Sequence, residues 1–228
     1  MKIYKLILSS LIIITLIGIG VNIVQAENES DIILTWEADN FYPSDYQGKP
    51  KATPNSTINV SVLVIKNNQV VNTSNKNFVW LLDGKYLDDG YGKNKINFRV
   101  NKNRGQNHSI TVRIKDGEEQ LTKGINIPIK NPELIIDKKM PSNNISLGSQ
   151  IKMKSTPYFF NIDSFNNIKF YWEIISNQKI NKFDNIVNLN IGNSKSLLGK
   201  KILVQAWAVN KKNQAEFVKS YLNLKIND

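Results

Sequence analysis

The chain has 228 residues, enough for an apolar leader and two further domains of roughly 100 residues, each with its own hydrophobic core. It contains no cysteine, which excludes disulfide bonds, thiol catalysis and cysteine-based metal sites. The formal net charge is +11, but every arginine lies within residues 27–130, so the lysine-rich remainder does not favour specific nucleic-acid readout.

Residues 1–26 have the pattern of a secretory signal peptide. Lys2 and Lys5 flank the start, an apolar run covers residues 6–24, and the run ends in Val24-Gln25-Ala26. We expect cleavage after Ala26. The alternative is a retained membrane-anchor helix, because about 20 apolar residues can span a bilayer. In both cases we expect an exported, extracellular or envelope-associated protein that meets the membrane only through this segment.

Alternation of apolar and polar residues predicts β-strands throughout residues 27–130 and no amphipathic helix. Asp-Gly and related turn signals separate the strands, because both central residues of a type I′ hairpin turn need positive φ. The predicted turns are Asp83-Gly84, Asp89-Gly90, Asn103-Arg104-Gly105 and Asp116-Gly117. The predicted core positions include Ile58, Val60, Phe78, Trp80, Phe98, Ile110, Val112 and Ile127.

Residues 131–228 repeat this pattern. Phe78-Val79-Trp80 recurs as Phe170-Tyr171-Trp172, and Ile110-Thr111-Val112 recurs as Ile202-Leu203-Val204, both 92 residues later. A repeat of this length is typical of a small β-sandwich. Pro132 follows the last strand of the first copy and ends it, since proline cannot donate to a strand ladder. The sequence therefore predicts an all-β protein with domains at 27–130 and 131–228.

The segment Trp80-Leu81-Leu82-Asp83-Gly84 resembles strand C and the following turn of immunoglobulin-like and PKD-like domains, in which a tryptophan fills the core. Trp172 takes the same place in the second copy. The chain after its leader is similar to tandem immunoglobulin-like modules of bacterial secreted or surface proteins, among them envelope proteins of small-genome bacteria. The resemblance implies two tandem immunoglobulin-like β-sandwiches with core-structural Trp80 and Trp172, and an extracellular, non-enzymatic role in adhesion or scaffolding.

An aromatic, proline-rich segment over residues 36–54 is the first candidate binding site. Aromatic side chains on a stiff loop can stack on sugar rings or contact a protein, since they offer large contact area at low entropic cost. The alternative is a loop that only crosses between sheets, with Trp36 and Phe41 capping the first sandwich. The candidate residues are Trp36, Phe41, Tyr42 and Tyr46.

The second candidate binding site is centred on Trp207. If Ile202, Val204 and Ala206 point into the core, Leu203, Trp207 and Val209 share the outer face of the same strand. An outward apolar patch of this kind is typical of an interface. The alternatives are that the strand is covered on both sides, or that Trp207 packs against the first domain.

No pattern predicts a catalytic site, a cofactor or a metal site. His108 is the single histidine and lies in a polar stretch that predicts a turn, without a recognisable nucleophile beside it. The acids at Asp83, Asp88 and Asp89 lack the spacing of a calcium loop, although calcium remained an alternative. We therefore expect a protein that is not an enzyme.

Three functions are compatible with these sequence features. The first is an adhesive or scaffolding protein that binds an unknown envelope protein or glycan. The second is a carbohydrate-binding module with Trp36, Tyr42 and Tyr46 as a stacking platform, which coplanar exposed rings would favour. The third is a membrane-tethered spacer. Residues 131–228 carry 14 basic and 7 acidic side chains, so an anionic surface polymer is an expected partner of the second domain.

Overall fold

A computed structural model describes residues 30–117, 119–175, 180–182 and 184–227. The predicted leader, 1–26, therefore lies outside the described residues. The strands of the first sandwich are β1 (Asp31–Asp39), β2 (Thr57–Lys66), β3 (Gln69–Val70), β4 (Asn77–Leu82), β5 (Lys85–Tyr91), β6 (Lys95–Arg99), β7 (Asn107–Asp116) and β8 (Glu119–Pro128). The strands of the second are β9 (Glu133–Lys138), β10 (Asn144–Ser146), β11 (Gln150–Tyr158), β12 (Ile168–Ile175), β13 (Ile180–Lys182), β14 (Ile186–Asn190), β15 (Lys201–Asn210) and β16 (Phe217–Asn227).

The first sandwich packs two antiparallel sheets around one core. One sheet joins β1, β2 and β6, with the short β3 extending a hairpin from β2, and the other has the order β5-β4-β7-β8. Lettered along the chain, these are strands A, B and E against C′, C, F and G. This is the division of strands of an immunoglobulin-like sandwich.

The second sandwich repeats the arrangement with one addition. Its sheets have the orders β14-β11-β9 and β10-β16-β15-β12-β13, and the short β10 runs parallel to β16 at the edge of the larger sheet. The described helices are two single 3₁₀ turns, Phe165–Asn167 and Lys195–Leu197. The prediction of an all-β, immunoglobulin-like chain is confirmed for the described residues.

Each core is centred on a tryptophan. Trp80 on β4 is 0% exposed and Trp172 on β12 is 1% exposed. A buried indole N–H needs an acceptor, and both copies supply a backbone carbonyl from the chain just before the next strand of the opposite sheet. Trp80 donates to the carbonyl of Lys93 at 2.9 Å, and Trp172 donates to that of Asp184 at 2.6 Å. The 92-residue repeat therefore extends to the hydrogen bond of its central side chain.

The Asp-Gly signals have different outcomes. Asp83 and Gly84 have φ of 52° and 77°, as a type I′ turn requires, and they join β4 to β5. The turn predicted at Asp89-Gly90 is wrong. Both residues pair with β4, after a bulge at Trp80, and the chain turns later at Gly92. Gly92 fits there because a Cβ would lie 3.0 Å from the carbonyl oxygen of Ser74.

No helix within the described part of the chain is long and apolar enough to cross a membrane.

Candidate functional site

The aromatic segment begins later than its sequence predicts. Trp36 lies on β1, where it pairs with Val60 and packs, half-buried, against the first core. The loop prediction for this residue is therefore wrong, because alternating Ile32, Leu34, Trp36 and Ala38 form one face of a strand. Lys49 Nζ lies 3.7 Å from the centroid of the Trp36 ring. Burial lowers the pKa of the Lys49 ammonium, an effect that Glu37 partly offsets.

Residues 40–56, which we name the crossing segment, connect β1 to β2 and contact the second sandwich. The N–H of Phe41 donates to the carbonyl of Phe160 at 2.7 Å, and the N–H of Phe159 donates to that of Phe41 at 2.6 Å. Further along, Thr53 Oγ1 donates to the carbonyl of Phe159 at 3.2 Å. The predicted candidate Phe41 is thus part of a backbone connection between the two sandwiches.

The tyrosines of the crossing segment meet their neighbours edge to face. The Tyr42 and Tyr46 rings are 5.7 Å apart at 60°, and Tyr46 packs on Tyr158 and Phe159 at 68° and 71°. A sugar stacks on a flat, open ring face, whereas these rings meet one another edge to face. The tyrosines of the crossing segment therefore do not form the coplanar platform that a glycan-binding function predicts.

A buried polar cluster connects the crossing segment to the end of the second sandwich that meets it. Glu216 is 9% exposed, and its Oε1 accepts from the backbone N–H and the Nδ2 of Asn161. Its Oε2 accepts from Asn210 Nδ2 at 2.6 Å. Asn161 Nδ2 also donates to the carbonyl of Pro54 at 2.9 Å. Because both carboxylate oxygens are engaged, the buried charge is compensated and the junction is held by directional bonds.

The second candidate, Trp207, lies on the outer face of the larger sheet of the second sandwich. Along β15 the residues alternate between buried positions, from Ile202 to Ala208, and half-exposed positions that include Leu203, Trp207 and Val209. The Trp207 ring stacks on Tyr171 of β12 at 5.2 Å and 10°. The ammonium of Lys219 lies 5.5 Å from the centroid of the Trp207 ring. Both partners of Trp207 lie on neighbouring strands of its own sheet, and neither belongs to the first sandwich.

The apolar surface extends beyond this strand. Ile175 and Tyr221, on β12 and β16, are 47% and 57% exposed. The sequence analysis did not identify Tyr221, which lies on the outward side of β16. We name as the Trp207 face the outward side chains of Tyr171, Ile175, Leu203, Trp207, Val209 and Tyr221.

The surface charge around the Trp207 face is mainly positive. The acid on the outward side of the three central strands is Glu173. The cations on the same side are Lys169, Lys201, Lys219 and Lys225. The matching positions of the first sandwich differ, since β7 presents Thr111, Arg113 and Lys115 where β15 presents Leu203, Gln205 and Trp207. The two strands share a core pattern, but only β15 has an apolar outer side.

His108 is buried and does not lie in an exposed turn, contrary to its polar sequence context. It is the second residue of β7, its side chain is 0% exposed, and its ring packs edge-on against Phe98. Nδ1 lies 2.8 Å from Asp83 Oδ2, and Nε2 is buried without a hydrogen-bond partner among the described residues. The side chain therefore has a structural role in orienting the β4–β5 turn.

Asp83 is the most perturbed acid of that turn. Burial raises the pKa of its carboxyl, but hydrogen bonds from Lys102 Nζ, the Ser109 N–H and His108 outweigh burial and lower the pKa from 3.8 to about 2. A carboxyl whose pKa is lower in the folded state than in the unfolded state stabilises the fold at pH values above the unfolded pKa. This stability is lost as the carboxyl is protonated.

The free energy of unfolding of the first sandwich is therefore expected to decrease as the pH falls from about 4 to about 2. Asp83→Asn should be less stable at neutral pH and should show a shallower decrease. Asparagine tolerates the positive φ of this position, so the backbone is preserved. The free energy of unfolding is measured by urea titration at each pH, with hydrogen exchange of the β7 amides as the probe of the first sandwich. Asp39→Asn, at an exposed carboxyl, is the control; equal slopes for Asp83→Asn and the parent would contradict the assignment.

Metal ligation has no geometric support in the part of the chain that the structure describes, where no three His, Asp or Glu side chains converge. The acids of the β4–β5 hairpin are directed to separate partners. Asp83 binds Lys102 and His108, Asp88 binds Lys93, and Asp89 accepts from the hydroxyl of Tyr86.

No protein-family model matches the chain, and no similar sequence was found among curated proteins. Among solved structures it is similar to the three N-terminal domains of the highly immunogenic outer capsid protein (Hoc) of bacteriophage RB49, at 10% identity and a TM-score of 0.42, covering 87% of this chain and 59% of that one. It is also similar to the titin I-band fragment I67–I69, at 13% identity and a TM-score of 0.31, covering 86% of this chain and 65% of that one. A third similar structure is that of the fibronectin(III)-like modules of Clostridium thermocellum CbhA, at 10% identity and a TM-score of 0.29, covering 86% of this chain and 94% of that one. The chain spans less than two thirds of the length of the first two structures.

Proposed function

We propose that this protein is an exported, non-enzymatic binding protein of the cell envelope or cell surface, with an adhesive or scaffolding role. It binds a partner protein through the Trp207 face. The observation that supports this most directly is the contrast between the two sandwiches. Leu203 and Trp207 project outward from β15 of the second, whereas the matching strand of the first, β7, presents Thr111 and Lys115 at the same positions. An apolar patch that the fold does not require is best explained by an interface.

Ring geometry favours a protein over a glycan at this face. The Trp207 ring is stacked against Tyr171 on one of its faces, and the ammonium of Lys219 lies near it. Because Trp207 lies between Tyr171 on one neighbouring strand and Lys219 on the other, the ring presents mainly its edge, which suits packing against aliphatic and aromatic side chains of a partner. The lysines around the face favour an acidic rim on that partner.

Site-specific photocrosslinking tests the proposed interface in the producing cells. A photoreactive phenylalanine analogue at Tyr221 is expected to form one discrete protein adduct, because this side chain is 57% exposed at the face. The matched control is the same analogue at Tyr91, which is 77% exposed on the first sandwich. Adding Trp207→Ala to the Tyr221 probe should abolish the adduct. An adduct that persists in this variant, or that also forms at Tyr91, would contradict the proposal.

A second candidate function, a membrane-tethered spacer, is favoured by the crossing segment. Its backbone bonds from Phe41 to Phe160 and Phe159 suit a two-domain arm with a fixed joint. A spacer also needs an anchor, which the leader could supply if it is retained. Intact mass from membrane and soluble fractions distinguishes the two functions. A soluble chain that begins at Glu27 argues against the spacer, and a membrane-bound chain that retains Met1 supports it.

A further inference from the structure

A groove of about 920 Å³ runs between the two sandwiches, beyond the end of the Trp207 face. Its walls come from loops of the first sandwich, from the connection between the sandwiches, and from the start of β16. A volume in this range accommodates a small ligand or a short stretch of polymer. The Asn161–Pro54 and Thr53–Phe159 hydrogen bonds hold the two walls together, so the groove is formed before any ligand arrives.

The groove contains hydrogen-bonding groups that the protein itself does not use. Within the described residues, the side-chain amides of the four asparagines that line it and the guanidinium of Arg104 have no hydrogen-bond or ion-pair partner. Each amide offers both donors and an acceptor, which suits ligand hydroxyl groups. The asparagines are Asn55, Asn103, Asn131 and Asn213.

One aromatic ring and two cations complete the lining. Phe217 is 54% exposed at the start of β16, and the described residues give it no ring partner. Its open face can receive the apolar face of a sugar ring. Arg104 stands on the opposite wall, and Lys219 lies near Phe217. The carboxylate of Glu216 also lines the groove, with its oxygens bonded to Asn161 and Asn210, and the two cations outnumber it.

We propose that this interdomain groove binds an acidic saccharide. Its hydroxyl groups would bond to the asparagine amides, one sugar ring would stack on Phe217, and a carboxylate would pair with the Arg104 guanidinium, which is shaped for two parallel hydrogen bonds to such a group. The groove adjoins the Trp207 face and shares Lys219 with it. The proposed ligand goes beyond the proposed function, which concerns a partner protein.

Titration of the whole chain with uronic-acid oligosaccharides tests the proposal. The probes are oligogalacturonides and hyaluronan oligomers, each compared with its carboxyl-reduced counterpart, and amide chemical shifts are the readout. We expect saturable binding, with shifts concentrated at residues 103–105 and 215–219. Carboxyl reduction should weaken binding about tenfold, the effect of losing one charge-assisted hydrogen bond.

Arg104→Gln should weaken acidic-oligosaccharide binding by about the same factor and leave the weak affinity for the reduced forms unchanged. Phe217→Ala should weaken both. The control is Arg113→Gln, which removes an exposed arginine of β7 outside the groove and should have no effect. Absence of binding by every probe, equal effects of Arg104→Gln and Arg113→Gln, or equally tight binding of poly-glutamate at the groove would each overturn the proposal. Photocrosslinking from Tyr221 is unaffected by these outcomes, so the two functions fail independently.

Discussion

Trp172→Ala is expected to lower the free energy of unfolding of the second sandwich by about 3–5 kcal/mol. The side chain is 1% exposed and lies within the core between the two sheets. Its removal leaves a cavity that the surrounding strands cannot fill, because β12 and β15 are held in register on both sides of it. The substitution also leaves the Asp184 carbonyl without the indole donor.

Hydrogen exchange resolves this effect by domain. Amides of β15 should become less protected in Trp172→Ala, while amides of β7 in the first sandwich change little. Trp80→Ala should give the reverse pattern, because the two indoles occupy equivalent places in separate cores. Trp207→Ala is the matched control, since it removes the same side chain from a half-exposed position and should cost about 1 kcal/mol. Unchanged protection of β15 in Trp172→Ala would mean that this tryptophan does not centre the core.

Asn161→Ala is expected to destabilise the second sandwich by about 2–3 kcal/mol. The amide supplies one of the bonds to the buried Glu216 carboxylate, and its loss leaves a charged oxygen with less compensation. The bond to the Pro54 carbonyl is lost as well. The amide of Phe41, which bonds to Phe160 across the junction, should therefore exchange faster in this variant.

A double-mutant cycle measures the interaction energy between Asn161 and Glu216 apart from their other contacts. Glu216→Ala removes the charge that Asn161 satisfies, so the combined variant should cost less than the sum of the two single variants. Asn188→Ala is the control, because it truncates an exposed asparagine on β14 of the same sandwich. Strict additivity of Asn161→Ala and Glu216→Ala would contradict the coupling.

The junction could not be predicted from sequence. Tyr42 and Tyr46 were identified as residues of interest by composition alone, which says nothing about the surface they meet. Tyr42 packs on Tyr46, and the partners of Tyr46, Tyr158 and Phe159, lie more than a hundred residues further along the chain. Nothing periodic links these two segments, so only the folded chain shows that they form one contact.

Asp89-Gly90 and His108 show a related difference. A local signal predicts a turn or an exposed side chain, but pairing with a neighbouring strand overrides it. Gly90 continues the ladder with Phe78, and His108 is buried beside Phe98 because β7 starts earlier than its polar residues suggest. Local preference is weaker than strand pairing and core packing when these compete.

The sequence alone specifies the all-β class, the tandem repeat and the buried tryptophans, because alternation with period two decides which side of a strand faces the core. It also determined that Trp207 points away from the core, by the same alternation. Tertiary structure decided what surrounds each outward residue. It stacked Tyr171 on Trp207, placed the crossing segment against the second sandwich, and formed a polar groove between two domains. Contacts between distant segments depend on three-dimensional packing, which no local pattern of residues encodes.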